Sequence, residues 1–203
     1  MFCGLTCVGT CVKTGLEAST RREKIMSGAT VLVVVDVQNI MFETPGYEPF
    51  EGERVLKTIA GLIAAARHGH VPVYYIQHTT EGAGSDFEKD SHNWLIRPEI
   101  APKKGDHITF KTSYDAFWKT DFDANLKQLG ARKLVFCGLQ TECCVDTTVR
   151  SALAHGYKSV LVGDAHTSYD NGVLTGGQIV AHHNQTLHRR FCTVMTAENV
   201  CFD

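Results

Sequence analysis

From residue 30 onward, the chain alternates between short, continuously apolar segments and longer segments in which apolar residues recur every three or four positions. Continuous apolar runs are typical of strands buried on both faces, and the longer spacing is typical of helices packed on a core. Strands are predicted at residues 30–38, 71–78, 107–111, 133–138, 158–165 and 191–196, and helices at residues 52–69, 121–131, 144–156 and 173–190. This order predicts a single three-layer α/β/α domain with a six-stranded, mostly parallel sheet.

Polar side chains follow three of the predicted strands. Asp36 ends the first, in VVVDVQN, and Lys111 ends the third, in TFKTSYDAF, while Cys144 follows the fourth and begins the next helix. In open parallel sheets, ligands bind outside the carboxyl ends of the strands, so we expect these side chains at one edge of the sheet. Alone, the aspartate would be a turn residue, the lysine a surface charge and the cysteine a packing residue. Their combination at matching strand ends predicts a nucleophile site.

Cys144 is the cysteine best placed to act as a nucleophile. A thiol at a helix N-terminus lies at the positive end of the helix dipole, and a nearby Lys111 would stabilise its thiolate further. Asp36 can accept the thiol proton and later donate it to a leaving group, while free N–H groups at the helix start can hold an oxyanion. Cys137, inside the apolar run LVFCG, is interpreted as a core residue. Cys143 is assigned a packing or pocket-wall role, with a redox role as the alternative.

The composition excludes several classes of protein. A chain of 203 residues suits one domain with a buried core, and 43% hydrophobic and 21% charged residues are ordinary for a globular protein. The net charge is −2 and no run of Lys and Arg forms a basic arm, so we predict no nucleic-acid partner. No apolar run reaches the roughly 18 residues that a membrane helix requires. Thiols within apolar runs are typical of a reduced compartment, so we predict a cytoplasmic protein.

Residues 1–28 differ from the rest of the chain because they have weak periodicity and a charged RREK cluster. We interpret them as a loosely ordered extension, with an organellar targeting segment as the alternative. Cys3, Cys7 and Cys11 would share one face of a helix and leave metal binding open in principle. Zinc sites built from such pairs usually have a second pair elsewhere, so we predict no metal site there.

Three segments of the chain resemble the signature blocks of the isochorismatase-like cysteine hydrolases: VLVVVDVQNIMF, FKTSYDAFWKTDFDANL and VFCGLQTECCVDTTVRSALAHGYKSVLVGDA. The resemblance runs from about Val31 to the last strand, within a predicted domain at residues 29–203. The family includes nicotinamidases and N-carbamoylsarcosine amidohydrolases. The resemblance implies a Rossmann-type topology, cleavage of a C–N bond through an acyl-thioester intermediate, and a homo-oligomer, either a dimer or a tetramer.

The resemblance also implies roles for individual residues. Asp36 would be the general base, Lys111 its cationic partner and Cys144 the nucleophile. A non-proline cis peptide bond is implied between Leu139 and Gln140, with the backbone N–H groups of Gln140 and Cys144 forming an oxyanion hole. The walls of the substrate pocket, or their support, are expected from Gln38, Phe42, His78, Tyr114, Phe117, Leu139 and Cys143.

Two departures from the family narrow the predicted function. Isochorismatases proper lack the catalytic cysteine and cleave a vinyl ether, so Cys144 argues against that reaction. Nicotinamidases carry a metal-binding D-x-H with a further His in the loop after the second strand, where this chain has IQHTTEGAGSDFEKDSH, with His78 and His92. We expect no D-x-H zinc site there and interpret His78 as a pocket residue or strand cap. We therefore predict no metal and no cofactor. The leading hypothesis is a metal-independent amidohydrolase, and the alternatives are an isochorismatase-type vinyl-ether hydrolase and a non-enzymatic thiol redox protein using Cys143 and Cys144.

Overall fold

The computed structural model describes residues 29–202, and these residues form one sheet of six parallel strands. The strands are β1 (Ala29–Val35), β2 (Val73–His78), β3 (His107–Lys111), β4 (Ala131–Leu139), β5 (Lys158–Thr167) and β6 (Thr193–Met195). Their order across the sheet is β3-β2-β1-β4-β5-β6. The predicted α/β fold is confirmed, with a sheet that is entirely rather than mostly parallel. The predictions for residues 1–28, including those for Cys3, Cys7 and Cys11, lie outside the described residues.

Helices lie on both faces of the sheet. In the described part of the chain they are α1 (Ile40–Glu43), α2 (Gly52–His68), α3 (Phe122–Gln128), α4 (Asp146–Ala154) and α5 (Gly176–Leu187). Val31 and Val33 of β1 pack with α3 and α4 in one core cluster, whereas Leu32 and Val34 pack with α2 in another. Successive side chains of a strand point to opposite faces, so a strand that is apolar throughout must be covered on both. Within residues 29–202, no helix is long and apolar enough to cross a membrane.

Two helix boundaries differ from the prediction for local reasons. Helix α5 begins later than predicted because Thr175 caps it. Its hydroxyl accepts the N–H of Gln178, whose side chain accepts the Thr175 N–H. The predicted helix at residues 144–156 is a π-helical turn at Thr141–Val145 followed by α4. Helix α1 was not predicted, because four residues are too few to show a helical period.

Strands β1 and β4 lie side by side where the direction of the chain across the sheet reverses. The chain passes from β1 through β2 to β3 on one side and then returns to β4 on the other. Gly138 of β4 has a φ of +123°, and a Cβ atom there would lie 2.1 Å from the Val35 carbonyl oxygen. A residue without a side chain is therefore required for this close approach. The crevice at such a reversal is the usual ligand site of a parallel sheet.

Candidate active site

Three side chains from three strand ends meet in this crevice. Asp36 follows β1 with a φ of 48°, Lys111 is the last residue of β3, and Cys144 lies in the π-helical turn after β4. The Lys111 Nζ atom is 2.7 Å from Asp36 Oδ2 and 3.2 Å from Cys144 Sγ. Asp36 is 2% exposed and Lys111 is 1% exposed, so solvent screens their attraction only weakly. The structure thus brings together the three residues that the sequence places at matching strand ends.

The ammonium group of Lys111 lies at the centre of the site. It donates to His78 Nδ1 at 3.0 Å, to the Ser113 carbonyl at 2.9 Å and to Cys144 Sγ. An ammonium group only donates, so His78 Nδ1 accepts and carries no proton. Burial and the neighbouring Lys111 charge both lower the pKa of His78, in agreement with a neutral ring. Burial by itself would lower the pKa of Lys111, but Asp36 and Cys144 together outweigh it and the Lys111 pKa is raised.

The Asp36 carboxylate has room to accept a proton. Neither of its oxygens accepts a hydrogen bond from the described residues, although Lys111 is in ionic contact with one of them. Cys144 Sγ lies within 4.8 Å of a carboxylate oxygen. Burial, and then the Asp36 charge, raise the pKa of the Cys144 thiol, and Lys111 opposes this shift. Burial therefore favours the thiol form of Cys144, whereas the helix-dipole argument from sequence favours the thiolate, because that argument does not include the burial of Cys144.

The turn that carries Cys144 starts directly after the sheet. The peptide bond between Leu139 and Gln140 is cis. Cys143 and Val145 both donate their N–H to the Gln140 carbonyl, at 3.1 and 3.2 Å, whereas the N–H of Cys144 between them does not. N–H groups that the first turn of a helix leaves unpaired can bind an incoming oxygen atom. The backbone at Cys144 can therefore contribute a donor next to its own sulfur.

The same group of side chains includes three atoms that could bind a metal ion. Donor atoms of Asp36, His78 and Cys144 lie within 4.8 Å of one another. The Lys111 ammonium contacts all three residues, at 2.7 to 3.2 Å, and so already supplies a positive charge among them. A metal ion bound here would have to displace that ammonium group.

The loop between β2 and β3 contains one D-x-H triplet, at residues 90–92. Its histidine, His92, is exposed, and its ring nitrogen Nε2 lies 2.7 Å from Glu43 Oε2. Neither Asp90 nor His92 lines the cavity described below. The triplet is therefore not positioned to bind a metal ion beside Cys144.

A cavity of about 550 Å³ opens over the three central residues, and both Asp36 and Cys144 line it. This volume is typical of small-molecule sites. The residues that we expected in the pocket divide into two groups. Those that line the cavity are His78, Tyr114 and Cys143, and those that do not are Gln38, Phe42, Phe117 and Leu139.

Gln38 supports the site from behind the cavity. It is fully buried, and its amide nitrogen donates to the carbonyls of His78 and Trp94 at 3.0 and 2.7 Å. Its amide oxygen accepts the His78 N–H at 2.9 Å, so Gln38 fixes the end of β2 against the following loop. The remaining residues of the second group pack in or against the hydrophobic core: Phe42, Phe117 and Leu139.

Sequence reasoning missed several residues of the cavity wall. Tyr47 and Tyr169 contact each other edge to face, with 6.2 Å between ring centres. Phe87, from the loop after β2, packs edge-on against His78 at 4.9 Å, and its neighbour Asp86 also lines the cavity. These residues belong to no periodic pattern or motif, and only the fold brings the two tyrosines together.

A chain of buried hydrogen bonds holds the start of the Cys144 turn. Thr141 Oγ1 is 2.8 Å from His166 Nδ1, and His166 Nε2 is 2.9 Å from Asn184 Oδ1. Asn184 donates its amide nitrogen to the Gly163 carbonyl, so its oxygen accepts the Nε2–H of His166. Burial lowers the pKa of His166 to about 4. His166 thus links α5 to the start of the turn, and its burial favours the neutral ring.

Acidification is expected to destabilise the protein through His166. The folded protein keeps this ring neutral down to about pH 4, whereas the unfolded chain binds the proton near pH 6.5. The resulting contribution to the free energy of unfolding is about 3 kcal/mol. It is fully present above pH 6.5 and is lost as the pH falls through 4. We expect His166→Gln to make the pH dependence of unfolding shallower between these values, as measured by urea denaturation.

The control for this prediction is His182→Gln, because His182 is an exposed histidine on α5. That variant should keep the wild-type dependence of the unfolding free energy on pH. An unchanged slope in His166→Gln would show that His166 does not take up a proton on unfolding.

This chain is similar in sequence to a known domain family and to known hydrolases. A family model described as the isochorismatase domain matches residues 30–199. Streptothricin hydrolase from Streptomyces noursei is 36% identical over 140 residues, which cover 68% of this chain and 50% of that protein. The ureidoacrylate amidohydrolase RutB from Azorhizobium caulinodans is 29% identical over 170 residues, covering 67% of this chain and 75% of that protein. The chain thus spans about half the length of the first of these relatives.

A solved structure has the same architecture. The crystal structure of an isochorismatase family protein matches with a TM-score of 0.77 and 30% sequence identity. The match covers 82% of this chain and 98% of that chain. Similarity in sequence and similarity in structure therefore extend over the sheet, the helices and the crevice.

Proposed function

The chain belongs to the isochorismatase family, and from this premise we propose that it is a cysteine hydrolase that cleaves a C–N bond of a small amide, imide or carbamoyl compound. The observation that carries the proposal is the contact of Lys111 Nζ with both Asp36 and Cys144 at the base of the cavity. A buried acceptor, a fixed cation and a thiol are the groups that acyl transfer to sulfur requires.

The first half of the proposed reaction forms an acyl-thioester. The Cys144 sulfur attacks the substrate carbonyl carbon while its proton passes to Asp36, whose oxygens are free to accept it. The backbone N–H groups of Gln140 and Cys144 donate to the oxygen that gains negative charge. When the tetrahedral intermediate collapses, Asp36 returns the proton to the leaving nitrogen and the C–N bond breaks. Lys111 stays protonated through these transfers and compensates the negative charge that Asp36 carries before and after them.

The second half of the reaction regenerates the thiol. A water molecule attacks the thioester carbonyl and gives its proton to Asp36, and the C–S bond then breaks. Asp36 passes that proton to the sulfur, so the acid product leaves and the site returns to a protonated Cys144. The raised pKa of Cys144 favours this return to the thiol.

The relatives support C–N cleavage more than the alternative reactions. One of these relatives is an amidohydrolase. Vinyl-ether cleavage does not need a cysteine nucleophile, which is the role that we propose for Cys144. A redox role would use Cys143 and Cys144, and both are free thiols in the structure. The small-molecule substrate, the homo-oligomer and the cytoplasmic location stay predictions.

The proposed function is tested with a panel of small primary amides, imides and ureido compounds, with isochorismate included. We expect release of ammonia or amine from at least one member of the panel. Quenched samples should contain protein with the added mass of the acyl group, located at Cys144 by peptide mapping. Hydroxylamine should convert this adduct into a hydroxamate and restore the free thiol, because a thioester is attacked by nitrogen nucleophiles.

Other outcomes favour the alternatives. Cleavage of isochorismate without an adduct on Cys144 supports a vinyl-ether hydrolase. A reversible disulfide between Cys143 and Cys144, with no hydrolysis of the panel, supports a redox protein.

A further inference from the structure

Among the described residues that line the cavity, one negatively charged side chain has no positively charged partner. Asp36 is compensated by the buried Lys111, whereas Asp86 makes no ion pair and no side-chain hydrogen bond with any residue in the described range. No arginine or lysine is among the lining residues at positions 29–202. His78 accepts a hydrogen bond from Lys111 and is neutral. The wall of the cavity therefore carries an uncompensated negative charge at Asp86.

Asp86 is placed by the turn that contains it. The Thr80 N–H donates to the Phe87 carbonyl at 3.0 Å, and the Glu88 N–H donates to the Ser85 carbonyl at 3.0 Å. These bonds fix the backbone on both sides of Asp86. The neighbouring Phe87 packs against His78, which contacts Lys111, so the turn is connected to the reaction centre.

The rest of the wall is rich in aromatic side chains, which are Tyr47, Phe87, Tyr114 and Tyr169. The face of an aromatic ring carries partial negative charge and attracts cations. Among the lining residues at positions 29–202, an entering carboxylate would meet Asp86 and these aromatic rings and no free cation. An ammonium group would be attracted by both.

We propose that the cavity accepts amides bearing a neutral or positively charged group and discriminates against carboxylates, and that Asp86 determines this selection. This inference rests on the proposed amide hydrolysis and adds to it the charge of the preferred substrate. The Debye length is about 8 Å at physiological ionic strength, so salt screens charges within the cavity only in part. Asp86 is exposed to solvent, so its charge changes the concentration of charged ligands that pass within about this distance of it.

The charge of the cavity can be measured without any turnover, because Cys143 and Cys144 both line it. Matched cationic and anionic methanethiosulfonate reagents are applied to the intact protein, and modification of each cysteine is followed by peptide mass spectrometry. Each rate is divided by the rate of the same reagent with a free thiol in solution. For these two cysteines we expect the cationic reagent to be favoured by at least about tenfold.

Variants at Asp86 test whether this carboxylate causes the preference for the cationic reagent. Asp86→Asn should bring the ratio of the two rates close to one, and Asp86→Lys should favour the anionic reagent. Glu81→Gln removes an exposed acid from the same loop that does not line the cavity, and it should keep the wild-type ratio. A wild-type ratio near one, or a ratio that Asp86→Lys leaves unchanged, overturns the inference.

Substrates of matched size separate this inference from the proposed function. We expect kcat/KM to decrease from 4-aminobutanamide through butanamide to succinamate, and Asp86→Lys to reverse the order of the two charged amides. Faster hydrolysis of succinamate by the wild type overturns the charge selection and leaves amide hydrolysis intact. Absence of amide hydrolysis, together with a cationic preference in cysteine modification that depends on Asp86, contradicts the proposed function and leaves the charge of the cavity established.

Discussion

Replacing Cys144 by alanine is expected to lower kcat/KM for any amide substrate by roughly four to six orders of magnitude. The reason is that the sulfur is the only protein atom in the proposed mechanism that forms a covalent bond to the substrate carbon. Cys144→Ser should be similarly inactive, because a hydroxyl group is a far weaker nucleophile with Asp36 as its base. The measurement is steady-state hydrolysis together with the mass of the protein after quenching, which should show no acyl adduct in Cys144→Ala.

The neighbouring thiol provides the matched comparison. Cys143 lines the cavity but is not in contact with Lys111, so Cys143→Ala should still form the acyl adduct on Cys144. Cys201→Ala changes an exposed thiol that does not line the cavity and should leave turnover unchanged. Wild-type turnover in Cys144→Ala would contradict the mechanism. Loss of function in Cys143→Ala, with a Cys143–Cys144 disulfide in the wild type, would favour the redox alternative.

Much of the fold can be predicted from sequence because its signals are local. Strand β3 (His107–Lys111) has the predicted boundaries, and each apolar run contains a strand. Gly130 and Gly156, with φ values of +66° and +85°, follow the ends of α3 and α4, where a left-handed residue commonly ends a helix. The π-helical turn at Thr141–Val145 could not be predicted, because its hydrogen-bond pattern has no residue-type signature.

The centre of the candidate site follows from sequence for a different reason. In a parallel sheet, the carboxyl ends of all strands lie at one edge, so the positions of Asp36, Lys111 and Cys144 along the chain predict that they lie at the same edge. The walls of the cavity do not follow in this way. Tyr47 and Tyr169 lie in loops that the fold alone brings into contact. The protonation of Cys144 likewise depends on burial that only the folded chain creates.

Removing the Lys111 charge is expected to destabilise the protein as well as inactivate it. Lys111→Met leaves the Asp36 carboxylate 2% exposed with no cation beside it, and the free energy of unfolding should fall by about 3–5 kcal/mol. The control is Lys127→Met, which breaks the exposed contact between Lys127 and Asp123 at 2.6 Å. A surface pair of this kind contributes at most about 1 kcal/mol, so urea denaturation should separate the two variants clearly.

The double variant Asp36→Asn/Lys111→Met distinguishes stability from catalysis. Replacing both members of a buried ion pair by neutral groups is often close to neutral for stability, because no unpaired charge is left in the interior. We therefore expect the double variant to regain most of the stability that Lys111→Met loses, while kcat/KM stays as low as in either single variant. Recovered turnover would mean that the pair serves the fold and that another group accepts the Cys144 proton. A Lys111→Met variant as stable as Lys127→Met would contradict the expected cost of leaving the Asp36 carboxylate buried without a cation.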